Sequence, residues 1–307
     1  MTERELSRLA PTRRGVHERL AGLGPGVPPD FDPRRTLRLR VEFVRQLKRR
    51  RTQIAFALLI VLPIIIAFAF KVGGSPSGPP DEPGSAALVS LATSGAQNFT
   101  LFTEYASVGF LLVVVVSLFC GDTVASEANW SSLRYLLAQP VPRSRLLRQK
   151  LIVAGSLSVA ANVVLPLWAL GVGAVFFGTA PARSPLGVTF AGGASLWRLA
   201  VIVAYVCGQM LVVAALAFLL SVSVDNPLGA VGGAVMLIVV SNILDQITAL
   251  DPYRHYLPTH WNYAWTDLLS SSISWDDMIR VTGLSIVYAT VFLAIAWLRF
   301  DRKDITS

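Results

Sequence analysis

The residues best equipped for chemistry are Asp251, His255 and His260, a carboxylate and two imidazoles within one short stretch. Such groups suit a metal site or a hydrolytic centre, but their spacing argues against both. The i, i+5 spacing of the histidines does not place them on one helical face, as the i, i+4 pair of a helical zinc site requires, and no Glu stands between them as a base. No apolar segment carries a pair of carboxylates, and no G-x-S-x-G turn offers a serine nucleophile. The chain also lacks G-x-x-x-x-G-K-[ST], so nucleotide-driven work would need another polypeptide to bind the nucleotide. Neither a metal site nor catalysis is expected on this chain. Asp245 stands at the edge of an apolar run beside Ser241, Asn242 and Gln246. Asn242, Asp245 and Gln246 are candidates to line a pathway or vestibule, the alternative being a cap at headgroup level. Cys120 and Cys207 fall inside apolar runs as small fillers, which implies no disulfide framework.

The elements that must position these residues follow from composition. The 307 residues are 53% hydrophobic and only 15% charged, with a mean hydropathy of +0.55, whereas soluble domains average about 25% charged residues. Six stretches between consecutive charges run uncharged for 19, 17, 32, 26, 19 and 18 residues. A hydrocarbon slab about 30 Å thick takes about 20 helical residues, so each run approaches or exceeds one crossing. Soluble enzymes, DNA-binding domains and disulfide scaffolds are excluded. The runs do not alternate as barrel strands would. The expectation is an all-α membrane protein with six transmembrane helices, at Thr52–Phe70, Tyr105–Gly121, Leu151–Phe177, Leu199–Val224, Asn226–Leu244 and Val281–Leu298. Pro63 and Pro166 should kink the first and third spans, and Asn162 and Gln209 should bond between helices.

Orientation follows from Lys and Arg, which stay on the cytoplasmic side. Of 27 such residues, 22 fall on the face that holds both termini and 5 on the other. The chain is expected to be multi-pass in the plasma membrane with N- and C-termini cytoplasmic. The net charge of +8 arises entirely from the arm through Arg51, which points to topology and anionic lipid and gives no reason to invoke nucleic acid. Residues 1–33 read as a flexible cytoplasmic arm. Residues 34–51 read as an amphipathic interfacial helix, with Leu37, Val41, Phe43, Val44 and Leu47 gathered opposite Arg34, Arg38, Arg45 and Arg49, the alternative being a cytosolic helix packed on a partner. Arg38, Arg45, Lys48, Arg49, Arg50 and Arg51 are its membrane-surface residues. The six-helix domain covers 52–301 and a cytoplasmic tail 302–307. Outside, Val72–Thr103 reads as an irregular Gly- and Pro-rich connection. The loop 245–280 carries Tyr253, Tyr256, Trp261, Tyr263, Trp265 and Trp275, with Trp261–Leu269 a candidate to dip into the outer leaflet.

Most informative is the cytoplasmic loop 122–150. Leu133, Leu136 and Leu137, then Leu146 and Leu147, show helical spacing interrupted by Pro140 and Pro142, which predicts two short helices and a corner. An acidic residue, a small pair, a Leu-rich turn, Pro, Arg and a Lys leading into a span resemble the first cytoplasmic loop of the type-2 ABC transporter permeases. The stretch Val-Glu-Phe-Val-Arg-Gln-Leu-Lys-Arg-Arg-Arg-Thr at Val41–Thr52, the six spans and the long last outer loop extend the resemblance. Where that family commonly has Gly-Thr, this chain has Ser131-Ser132. The resemblance implies the permease subunit of an ATP-driven exporter: a homodimer or related heterodimer with a second permease copy, bound to two ABC ATP-binding subunits that carry ATP and Mg. Glu127, Trp130, Ser131, Ser132, Leu133, Arg134 and Leu137 would then form the coupling surface, with Pro140, Arg143 and Lys150 fixing its return. The alternative is a secondary carrier or channel without an ATPase partner.

Overall fold

A computed structural model describes residues 39–73, 91–129, 143–183, 192–270 and 275–302. Among the described residues there is no strand. The helices are α1 (Leu39–Leu47), α2 (Arg50–Gly73), α3 (Ala96–Val108), α4 (Leu111–Asn129), α5 (Arg143–Phe177), α6 (Gly192–Ser223), α7 (Pro227–Asp245) and α8 (Asp276–Arg302). Six of them, α2 and α4 to α8, are long and apolar enough to cross a membrane. The arm 1–33 and residues 303–307 of the tail lie outside the described residues.

Helix α4 is the axis of the bundle. It packs on α5, α6 and α7, while α8 packs on α6 and α2 on α5. Burial follows this order: 78% of the apolar window of α4 is covered, against 22% in α2, α7 and α8. Small residues set the close approaches. A Cβ on Gly121 would meet Val231 Cγ2 at 3.0 Å, and one on Gly173 would meet the Ala96 backbone at 2.9 Å, so α4 lies tight on α7 and α5 tight on α3. The turn between α6 and α7 is short because the Asn226 side chain caps α7, accepting from Leu228 N at 2.9 Å, while Pro227 opens the helix where no N–H is needed.

Three elements depart from expectation. The stretch expected as the second span is divided between two helices that meet at Gly109 and Phe110, with α4 alone of crossing length, and α3 begins at Ala96, inside the segment read as an irregular connection through Thr103. Its start is held by the chain leaving α5. Ala96 N donates to Gly178 O at 2.9 Å, and Asn98 exchanges bonds with the Arg183 backbone at 3.0 and 3.1 Å. Next, α1 stops at Leu47 rather than running to Arg51, and Arg50 already belongs to α2. Finally, Trp261–Leu269 does not stand free of the bundle as a leaflet anchor. It ends in a 3-10 turn, Ala264–Leu269, whose Trp265 and Leu268 are fully buried in the main core. In α2, Pro63 sits within the helix and the nearby Ile60 carbonyl accepts from Trp168 Nε1 of α5 at 2.9 Å, so a neighbouring helix serves the weakened turn.

Candidate functional site

The strongest concentration of charge lies where α1, the start of α2, the end of α4 and the first turns of α5 converge. On α1, Glu42, Arg45 and Gln46 share one face by their i, i+3, i+4 spacing, and this polar face is the one turned inward. Glu42 and Gln46 are buried while Leu39, Val41, Val44 and Leu47 are exposed. Two turns into α5, Lys150 is 3% exposed and donates to Glu42 Oε1 at 2.8 Å and to Glu127 Oε1. Arg45 reaches the same Glu127 oxygen at 3.0 Å and Glu42 Oε2 at 3.4 Å, and Gln46 donates to Glu42 Oε1 at 2.9 Å. A second knot lies beside the first. Arg49 donates to Asp122 Oδ2 at 3.0 Å and to Ser126 Oγ at 3.3 Å, and Arg51 bonds the other Asp122 oxygen. Asp122 and Ser126 are one turn apart on α4, so a single face of that helix meets the α1–α2 corner.

Charges this deep persist only when paired, because an isolated ion in a poorly solvated site costs several kcal/mol, roughly. Burial by itself would raise the Glu42 carboxyl. The Lys150 ammonium, then Gln46 and Arg45, outweigh it and hold the group below its ordinary 4.5. A cavity of about 450 Å³ opens beside the knots, lined by Arg45, Arg49, Arg50, Arg51, Asp122, Ser126 and Glu127.

This geometry revises several expectations. The Glu127 carboxylate, expected at a partner surface, is 2% exposed and turned into the bundle. Arg45, Arg49 and Arg51, expected at lipid headgroups, spend their hydrogen bonds on internal carboxylates, while Lys48 and Arg50 carry no ion pair among the described residues. Trp130, Ser131, Ser132, Leu133, Arg134, Leu137, Pro140 and Arg38 lie outside the described residues, and of Arg143 only the helical backbone is described. From the sequence, Lys150 is expected only to fix the return of the loop, and Glu42 and Asp122 pass unmarked. Their signal was a charge at the boundary of an apolar run, which reads equally as a headgroup anchor.

At the opposite end, Asp245 pairs with His260 Nδ1, and Ser241 and Thr259 share a 2.7 Å hydrogen bond, so the end of α7 is fastened to the loop that follows it. Asn242 is half-buried and Gln246 exposed. Asp251 binds Arg254 Nε at 2.6 Å and lies 3.5 Å from His255, whose ring meets that of His260 edge-on at 4.7 Å. Among the described residues, no three His, Cys, Asp or Glu side chains are arranged to hold a metal ion. Tyr205 donates to Trp261 O at 2.8 Å and Tyr105 stacks on Tyr263 at 4.6 Å, seating the aromatic loop on α6 and α3.

Within the bundle, Gln209 bonds across to α8 by accepting from Ser285 Oγ at 3.1 Å. Asn162 instead donates to Ser158 O of its own helix at 2.8 Å, so its expected interhelical bond is absent among the described residues. Glu104 on α3 was missed as a site. It is fully buried, and neither carboxylate oxygen has a hydrogen-bond partner among the described residues.

Residues 86–306 match the model of a family described as a protein of unknown function, DUF2705. No curated protein matches the chain.

Proposed function

We propose that this chain, which belongs to the DUF2705 family, is the membrane-spanning permease subunit of an ATP-driven exporter that works as a dimer with two separate ATP-binding subunits. One observation carries the reading. Residues 130–142 leave α4 just after Glu127 and return on α5 just before Lys150, and those two side chains bond each other and, through Glu42 and Arg45, bind α1. A load applied to this loop reaches α4, α5 and α1 together, because buried ion pairs close its base. That is what a coupling loop between an ATPase and a bundle requires. Two features accord with it: the charge bias favours a cytoplasmic side for both termini and this loop, and α1 turns its apolar face away from the protein, as a helix lying in the membrane interface would. The membrane is then the plasma membrane, and ATP and Mg belong to the partner.

The test is co-purification of the ATP-binding subunit with the intact chain and with Trp130→Ala, Leu133→Ala and Lys150→Met. The expected result is loss of the partner in the first two and retained binding with uncoupled ATP hydrolysis in the third. The chain alone should bind no labelled ATP. Full assembly and coupling in all three variants would overturn the reading. A second reading, a secondary carrier, rests on Glu104, since an unpartnered acid buried among apolar helices is the usual mark of an ion or proton relay. It gains if Glu104→Gln abolishes transport while no ATPase is found.

A further inference from the structure

The cavity beside the ion-pair knots has an excess of positive charge and an apolar continuation. Its lining sets four guanidinium groups against two carboxylates. Three of the arginines are already engaged with Asp122 and Glu127, whereas Arg50 has no ion pair or side-chain hydrogen bond among the described residues. The carboxylates fix the arginine planes without cancelling them. The result is a preorganised set of donors with net charge for an anion, and guanidinium forks suit the paired oxygens of a phosphate.

Helix α2 supplies the second half. Arg50 and Arg51 open it, and at 100° per residue Ile54, Leu58, Val61, Ile65, Phe68 and Val72 fall within about 80° of Arg50, between the directions of the two arginines. All six are exposed, from 44% at Val61 to 70% at Val72, while Ala55, Leu59, Pro63 and Ala67 of the same helix are buried against the bundle. A basic pocket thus heads an uncovered apolar track that runs the length of a membrane span.

We propose that this pocket is a stoichiometric site for an anionic glycerophospholipid, its phosphodiester held by Arg50 with Arg45 and Arg51 and its acyl chains laid along the α2 track. The commitment to a lipid rather than a free phosphate rests on that track, which inorganic phosphate would leave bare. The site does not depend on the exporter reading, for it needs neither an ATPase nor transport. The bound phosphate would brace the α1–α2 corner from the outside, as Asp122 braces it from within.

The experiment is native mass spectrometry of the full chain released from nanodiscs of phosphatidylcholine mixed with phosphatidylglycerol. One phosphatidylglycerol should remain per chain, and Arg50→Gln should lower its retention about tenfold, a loss typical of one charge-assisted hydrogen bond. Arg302→Gln, an equal charge change on an exposed residue at the end of α8, should retain it. Ile54→Ser with Leu58→Ser should weaken retention with every arginine intact. Equal retention of both lipids, or the same loss in Arg50→Gln and Arg302→Gln, would reduce the pocket to general surface attraction and overturn the proposal. Inorganic phosphate that displaces the lipid at millimolar concentration would show a phosphate site without a lipid preference and overturn it likewise.

Discussion

Lys150 is the buried cation of the cluster, and two carboxylates from different helices converge on it. Removing it takes from the buried Glu42 and Glu127 one of the two cations, Lys150 and Arg45, that pair with both, so Lys150→Met should destabilise the chain by about 3–5 kcal/mol. Adding Glu127→Gln should recover part of that loss, since a buried charge without a partner costs more than a matched deletion. Thermal unfolding in one detergent, compared across the single and double variants, measures both. Glu42 adds a pH dependence. Its folded-state carboxyl lies below the ordinary 4.5, so the unfolded chain binds the proton more readily than the folded one. The pairing therefore contributes its full stability above that value and loses it as the pH falls through the depressed one. Protection of the α1 amides, taken relative to their intrinsic exchange rates, should be level through neutral pH and fall only in acid, and Glu42→Gln should flatten the acid limb. A loss of protection centred near neutrality would contradict the assignment.

Among the elements, contact between helices is set by glycine where it is closest. Gly173→Ala would drive a methyl into the Ala96 backbone, a site with no flexible side-chain end to yield, and should cost about 1–3 kcal/mol. Gly155→Ala on the same helix meets nothing within 4 Å and should be neutral or slightly stabilising. Paired melting curves of the two variants test the α3–α5 contact. The helices themselves were legible because a hydrocarbon slab imposes length directly: an uncharged run such as 151–182 can hardly be anything but a crossing. The break at Gly109 and Phe110 was not legible, since glycine inside an apolar run is common in spans and only Tyr263, whose hydroxyl would lie 2.9 Å from a Cβ at Gly109, makes it matter. Glu104 was hidden for a related reason: a carboxylate at the edge of an uncharged run looks like a headgroup anchor until its neighbours are known. The bond of Lys150 to Glu42 joins positions 108 apart, a pairing that no local period encodes.

For the whole molecule, the outward faces of α2, α7 and α8 are too apolar for water, and each helix must be covered by lipid or a second copy. The proposed orientation makes a direct forecast. In a background of Cys120→Ala and Cys207→Ala, Tyr253→Cys should react with an impermeant maleimide applied to intact cells, and Leu20→Cys only after lysis. The reverse pattern would invert the topology. The separation of the ion-pair partners along the chain also orders events at the ribosome. The α1–α2 corner is made long before Asp122 and Lys150 exist, so Glu42 and the arginines of that corner enter the membrane without their eventual partners. During this interval the headgroups of the bilayer are the available counterions for Arg49 and Arg51, and the polar face of α1 remains in contact with water. The contacts of the corner with α4 and α5 can form only after those helices have been made. The ionic knots thus join a first-made segment to helices made later in two stages, Arg45 and Arg49 finding Glu127 and Asp122 once α4 exists and Glu42 finding Lys150 only once α5 has begun.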